Sequence, residues 1–458
     1  VLEIDRKQEI ADLNARIDRL PRTGLRGITF MLIGLSYFFM FYDLSIQGFI
    51  IPTIAEEFNL TSTQTAIPIS FYLLGYPLGG YFLAVYGDRV GRRQALLITV
   101  IVVAFGSLMT ALSWDMWSLT FFRFLVGAGS GAEIALASTI TAEFSPAKKR
   151  GKYLQMMYFW GAGGLTLTPF ISLALIDFQY GWRIITAIGG IVAILLIFLR
   201  KNHLPESPRW LVANNKIEEA KKQIDEIERF CEEKTGEKLP EVYNVPIEQE
   251  NEGNELKTLF KPPYVKRVII TLLFWCLWLV ATNGYLTYGP TIISNAGAGL
   301  VDGNLFAALG YLGTPVGAIL AFWFVDSLER KVSMFIITVI FAVGLILITF
   351  THSTLLVFLG AFFISFCIAA QSIAYGYMAE IFPTRIRATG VVVTDSGGNL
   401  TGIVTPFIIV GLLSLVGGIG TLIALSIIVF ASGLVILIGG EKTTGVELTR
   451  IAEEKKSS

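Results

Sequence analysis

Charge is scarce in this chain. Asp, Glu, Lys and Arg make up 16% of its 458 residues, where soluble domains carry about 25%. With 53% apolar residues and a mean hydropathy of +0.62, the chain cannot clothe a water-facing surface, which excludes an ordinary soluble domain. Net charge is missing too: 36 basic and 36 acidic residues cancel, and this removes a nucleic-acid binder built on global positive charge. Of three cysteines, Cys231 falls in a charged stretch and Cys276 and Cys367 in apolar runs, so neither a disulfide scaffold nor metal-ligand spacing is present. The two histidines, His203 and His352, lie far apart and outside the apolar runs; no metal site is expected, and any proton relay has to run through carboxylates. No nucleophile with a base and no metal cluster falls at a common depth, so no enzyme activity and no cofactor are expected.

What the chain has in abundance is long apolar runs. A bilayer core of about 30 Å needs roughly 20 mostly apolar residues in a helix. Twelve such runs are present, at about 27–51, 65–86, 95–113, 117–142, 153–176, 183–199, 268–293, 304–325, 332–351, 355–380, 388–413 and 417–439. The expected fold is therefore an all-α membrane protein of twelve transmembrane helices. Residues 1–26 (EIDRKQEIADLNARIDRLP within them) lack the apolar core of a signal peptide and read as an amphipathic segment along the membrane surface. Basic residues set the orientation: 34 of the 36 fall at the amino terminus, the carboxyl terminus or every second connection, leaving Arg123 inside a span and Arg183 on the other side. Both termini and the loop 200–267 are thus expected on the cytoplasmic side of the plasma membrane. That loop divides the chain into a six-helix half at 27–199 and another at 268–440, followed by a tail at 441–458. Within it, residues 216–230 (KIEEAKKQIDEIERF) read as an amphipathic surface helix and 240–263 as a Pro-containing linker.

The halves repeat each other. AEFSPAKKRG at 142–151 is echoed by AEIFPTRIRATG at 379–390, and GDRVGRR at 87–93 by VDSLERK at 325–331. Both halves begin on the same side, so the duplication is parallel, which places a substrate site between them near the bilayer midplane and gives alternating access by rocking about it. The repeated charges sit at cytoplasmic helix ends. There Asp88 with Arg92, Glu143 with Arg150, Glu380 with Arg387, and the echoed Asp326 and Arg330 either form a gate linking neighbouring helices or support the fold. Each such pair is weak alone, but a set broken in one state biases the conformational equilibrium.

At these residues the sequence resembles the major facilitator superfamily over essentially its whole length. GDRVGRR is similar to that superfamily's loop signature after the second span. RFLVGAGSG at 123–131, PESPRWL at 205–211, AEIFPTRIRATG and EKTTGVEL at 441–448 resemble the set shared by sugar porters and organic-ion transporters. RIDRLP at 16–21, FYDLS at 41–45 and GAEIALASTITAEFSP at 131–146 are similar to the metabolite:proton symporter branch, whose members carry small organic acids, vitamins or sugars. The resemblance adds Glu206 and Arg209 of PESPRWL to the gate candidates. It also marks departures from the sugar porters: Asn283, Tyr288 and Pro290 fit the seventh-span pattern, but Leu277 and Trp278 stand at its paired Gln positions, Tyr375 at a tenth-span Trp and Gly398 at an eleventh-span Gln. Where organic cation carriers have an acid and anion carriers a base, seven residues before the Pro of the eleventh span, this chain has the neutral Asn399.

Ionisable groups at depth cost at least about 2.5 kcal/mol on insertion scales, so each needs a reason. Asp43 lies 16 residues into a span entering from the cytoplasm, about 24 Å deep. Arg123 lies about six residues into a span entering from outside, about 9 Å down. Across a 30 Å slab these depths coincide. Either Asp43 binds the driving proton while Arg123 holds it ionised until the two separate, or the two form a static buried ion pair; the family resemblance implies the coupling role. Glu133, about 15 Å deeper than Arg123 and with no cation of its own span nearby, is either a second proton site or a hydrogen-bonded structural carboxyl. Asp395 either contacts substrate or caps a helix break at Gly397 and Gly398. Gly284 and Pro290 suggest a locally unwound seventh span, and Gly127, Gly129 and Gly131 suggest close helix packing.

Neutral polar and aromatic residues near the midplane form the natural lining, since aromatic faces stack on ring-shaped solutes and amides orient them. The candidates are Tyr42, Gln47, Trp160, Asn283, Tyr285, Tyr288, Gln371, Tyr375 and Asn399, each of which is alternatively interhelical glue. The expected function is proton-coupled symport of a small organic solute, either a sugar or a small carboxylate or vitamin. A passive uniporter is the alternative within transport, and a transporter-like nutrient sensor would need a longer signalling extension than residues 441–458. The expected partners are the solute, the proton and the lipid bilayer, with the chain acting as a monomer.

Overall fold

The computed structural model describes residues 2–146, 149–242, 255–262, 264–297, 302–324, 328–382 and 384–443. Helices dominate them. On one face lies α1 (Leu2–Asp18); the first half of the bundle is α2 (Gly27–Glu57), α3 (Ser62–Val90), α4 (Arg92–Ala111), α5 (Met116–Glu143), α6 (Arg150–Leu175) and α7 (Gly181–His203). The long connection carries α8 (Pro208–Ala213), α9 (Ile217–Thr235) and α10 (Glu255–Leu259). The second half is α11 (Tyr264–Ala296), α12 (Gly303–Gly310) continuing into α13 (Gly313–Phe324), α14 (Arg330–Ile348), α15 (Thr354–Ala369) continuing into α16 (Ser372–Ile381), α17 (Thr384–Asn399) and α18 (Thr401–Gly439).

Among the described residues eleven helical runs are long and apolar enough to cross a membrane. The last, Thr389–Gly439, has 51 residues, about 76 Å at 1.5 Å per residue, which is too long for one crossing. It turns at Gly417, whose φ of +68° an L side chain rarely adopts, and so supplies two crossings, for twelve in all. Local sequence sets the helix ends. Thr61 caps α3 in a reciprocal box with Gln64, Asp115 does the same for α5 with Ser118, and Ser207 with Pro208 in the first turn starts α8. The outward surface is a belt of apolar side chains such as Phe198, Leu415 and Ile438, with Trp114 and Trp117 at one rim, as expected of helices that face lipid and its interface.

The same packing device holds each half. A Cβ at Gly75, Gly79, Gly127 or Gly131 would overlap backbone of the facing helix, so α3 and α5 touch backbone to backbone. In the second half, Gly313 and Gly317 of α13 meet Phe362 and Phe366 of α15 in the same way. Without a hydrophobic drive between helices in lipid, such close approach is a main source of cohesion. Gly129 faces the other way, onto Thr99 and Val103 of α4.

The seventh span departs from the sequence expectation. α11 is one continuous helix through Gly284 and Pro290, and Gly284 lets Ile409 and Thr405 of α18 approach closely. The interruption in the eleventh span lies at Leu400, between α17 and α18, just beyond Gly398, which fits closely over Trp275. In the amino-terminal segment α1 buries Leu13 and Ile17 against the Ala220, Ile224, Ile227 and Cys231 stripe of α9, and the two helices form a layer on the loop face of the bundle. Most of the linker at 240–263 and the motif at 444–448 lie outside the described residues.

Candidate functional site

Between the halves lies a cavity of about 140 Å³. The first half lines it with Phe41 from α2, Tyr72 and Tyr76 from α3, and Tyr158 and Gln155 from α6; the second half supplies Thr282 and Asn283 from α11, Thr314, Gln371, Tyr375 and Asn399. Rings thus face amides and hydroxyls across the gap. Among the described residues, no Lys, Arg or His lines it. Tyr158 and Tyr375 meet across the halves with ring centroids 6.1 Å apart, and the Trp275 ring stands edge-on to Tyr375 at 5.2 Å. Behind this wall, the Tyr375 hydroxyl donates to Asp395 Oδ1 at 3.1 Å, and Asn399 Nδ2 donates to the Asp395 carbonyl at 2.9 Å. Asp395 is therefore tied to the lining through Tyr375 and does not cap a break at Gly397.

Of the lining candidates, Asn283, Gln371, Tyr375 and Asn399 reach this cavity. The others do not. Tyr42 points away, its hydroxyl donating to the Ile185 carbonyl of α7 at 2.8 Å. Tyr285 and Tyr288 are packed in an apolar cluster drawn from both halves. Trp160 lies over Gly34. Gln47 lines a separate cavity of about 20 Å³ together with Thr65 and Arg123, room for about one water. The reason is rotational: residues on one helix at similar depth face different neighbours, and depth alone does not separate them.

Asp43 and Arg123 are 1% and 3% exposed. They are electrostatic neighbours, yet no direct hydrogen bond joins them: Asp43 Oδ2 accepts from Ser107 Oγ at 3.3 Å, while Asp43 Oδ1 and both terminal nitrogens of Arg123 have no hydrogen-bond partner. The expected close ion pair is thus a looser arrangement, with the carboxylate seated against Gly189 of α7.

Glu133 has a cation after all. Arg200 Nη2 lies 2.6 Å from its Oε1, with both side chains buried, and Thr99 donates to its other oxygen. Arg200 also donates to Ser36 Oγ and, at 3.3 Å, to the Leu96 carbonyl. The sequence placed Arg200 in the polar loop; α7 instead runs on to His203, and that extra turn withdraws Arg200 into the bundle.

The loop face is built from the repeated charges. Arg92 sits between Asp88 and Glu143, 3.2 Å from the latter, and its counterpart Arg330 lies 2.6 Å from Glu380. Each pair joins helices within one half. Arg150 does not pair with Glu143, which Arg92 occupies; it reaches Asp18 of α1 at 2.9 Å, and Arg209 reaches the same carboxylate at 2.7 Å. Glu206 accepts from the Arg92 and Arg93 backbone N–H groups at 2.7 and 3.2 Å, satisfying the start of α4. Asp326 and the Arg387 side chain lie outside the described residues. On the opposite face Arg183 holds Glu57 at 2.6 Å.

Sequence reasoning missed Arg200, Asp18 and the tyrosines at 72, 76 and 158. The i, i+4 spacing of Tyr72 and Tyr76 marks one face of α3, and Arg200 follows an apolar run with no breaker before it; both signals were available.

Comparison with known proteins agrees with this architecture. Residues 24–454 match the family model described as sugar (and other) transporter. The chain is 28% identical to the inner membrane metabolite transport protein YdjE of Escherichia coli (strain K12), over 97% of this chain and 99% of that one. It is 26% identical to the niacin transporter NiaP of Acinetobacter baylyi, over 96% and 99%. Among solved structures, the partially occluded inward open conformation of the xylose transporter XylE from E. coli superposes with a TM-score of 0.73 at 18% identity, over 92% of this chain and 99% of that one. The chain belongs to the sugar (and other) transporter family, and it is a multi-pass membrane transporter of the major facilitator fold.

Proposed function

We propose that this transporter carries a small ring-shaped organic solute in symport with protons, by alternating access. The observation that carries the reading is the Asp43 and Arg123 neighbourhood: a buried carboxylate and a buried guanidinium, close but not hydrogen-bonded to each other. A nearby cation favours the ionised carboxylate, and moving that cation away in an apolar surrounding favours its protonation. A shift of α2 against α5 therefore changes proton affinity, and because Phe41, two residues from Asp43, lines the solute cavity, the same shift is felt by bound solute. The cavity of about 140 Å³ compares with one of about 150 Å³ that takes up a single benzene ring, which supports a monosaccharide or a one-ring acid or vitamin, a class that includes the niacin named for one relative.

The gathering of 34 of the 36 Lys and Arg residues at the termini and every second connection supports a plasma-membrane orientation with both termini in the cytoplasm, since the rule counts basic residues and not net charge. The solute cavity is completed within one chain, which supports a monomer as the working unit. The test is proton movement itself: addition of a transported solute to lightly buffered proteoliposomes should make the outside more alkaline, whereas solute uptake without alkalinisation identifies a uniporter.

A further inference from the structure

The cavity wall has a hydrogen-bond polarity that its residue types alone do not reveal. A tyrosine hydroxyl has one proton to donate and two lone pairs to accept with. In Tyr375 that proton is committed to Asp395 Oδ1, and the ring is held in place by Trp275 on one side and Tyr158 on the other. Toward the cavity Tyr375 therefore offers lone pairs. Asn399 has likewise spent one of its two N–H groups on the Asp395 carbonyl, and its amide oxygen adds a further acceptor. Among the described residues no basic side chain lines the cavity, and in the first half Arg200 is already paired with Glu133. At this wall a solute carboxylate would meet the Tyr375 lone pairs and the Asn399 oxygen with a like charge behind them, and a buried acceptor facing an acceptor leaves both unsatisfied; the donors elsewhere in the lining, among them Gln155, Asn283 and Gln371, carry no full charge to offset this.

We propose that Asp395 is a positioning residue that sets this polarity: by holding the Tyr375 proton it makes the cavity select uncharged ring-shaped solutes carrying an O–H or N–H group over ring carboxylates. This rests on the solute cavity assigned above and narrows its substrate class. Sites that bind a donor through a committed hydrogen bond reject analogues lacking that donor far more strongly than apolar pockets distinguish shapes.

The test is equilibrium binding to the full chain in lipid nanodiscs at pH 7.5, using two matched pairs, nicotinamide against nicotinate and benzyl alcohol against benzoate. The uncharged member of at least one pair should bind at least tenfold more tightly than its carboxylate partner. In Asp395→Asn the new amide can donate to the Tyr375 oxygen and release its proton toward the cavity, so the ratio should fall at least tenfold, mainly through tighter carboxylate binding. Asp395→Glu should restore the preference and Tyr375→Phe should abolish it. The proposal is overturned if carboxylates bind more tightly to the unaltered protein, if no uncharged member binds, or if Asp395→Asn weakens both members equally. Binding needs no gradient: a protein that shows the preference but moves no protons with its solute refutes symport and leaves this assignment standing, and the reverse result separates them the other way.

Discussion

Arg200 and Glu133 lie 2.6 Å apart and are buried, whereas Arg123 and Asp43, equally buried in the same half, share no hydrogen bond. The two carboxylates therefore have different work available to them. Glu133 is held by Arg200 and Thr99 in a closed set that also reaches Ser36 and Leu96, joining α2, α4, α5 and α7. Asp43 has one weak partner and a free oxygen. Breaking a buried pair by removing one member costs about 3–5 kcal/mol, because the other charge is left uncompensated. Arg200→Leu and Glu133→Leu should each lower the melting temperature of the detergent-solubilised protein sharply, and the double variant should be more stable than either. Equal loss in all three would show that the pair is not the source of stability.

The glycine contacts predict a contrast between two positions of the same residue type. Alanine at Gly131 would overlap the Tyr76 carbonyl, while at Gly411 no atom lies within 4 Å. Overpacking costs about 1–3 kcal/mol, so Gly131→Ala should reduce the yield of monodisperse protein and Gly411→Ala should not. A stable Gly131→Ala would mean that α3 and α5 can part without loss.

The lining has a matching contrast. Asn283 and Asn399 reach the cavity, and loss of a hydrogen bond to solute is worth about 0.5–1.5 kcal/mol, so alanine at either should raise the apparent KM for uptake several-fold. Tyr288→Phe removes a buried hydroxyl that does not line the cavity and should leave KM unchanged. A raised KM in Tyr288→Phe with unchanged Asn variants would contradict the placement.

These contrasts also mark what a linear reading can reach. Twelve spans and the matching depths of Asp43 and Arg123 follow from counting, because apolar length and rise per residue fix them. The lining does not: Asn283 and Tyr285 are two residues apart on one helix, yet one meets the cavity and the other the packed interior, and only the rotation of α11 decides between them. Arg200 reads as loop because hydropathy falls there, although the helix continues. The Asp18 bridge joins residues 132 and 191 positions apart, a distance at which no local pattern operates.

The layer on the loop face should loosen with acid. Burial pushes the Glu228 carboxyl up, but hydrogen bonds from Arg16 and Arg19 outweigh it and hold the group below its ordinary value of 4.5. A carboxylate lowered on folding contributes stability above that ordinary value and loses it as pH falls through the folded one. Spin labels on exposed sites of α1 and α9 should keep their separation from pH 7 down to about 4.5 and part below it. Glu228→Gln should part them at pH 7, and labels that stay together in that variant would show that the apolar stripe suffices.

The central claim, that Asp43 couples solute movement to protons, is tested most directly by solute accumulation in proteoliposomes under an imposed inward proton gradient, for the unaltered protein and for Asp43→Asn. The account predicts that the unaltered protein concentrates solute and that collapsing the gradient abolishes this. Asp43→Asn should bind and exchange solute across the membrane without concentrating it. Accumulation that ignores the gradient, or an Asp43→Asn protein that still concentrates solute, would contradict the account.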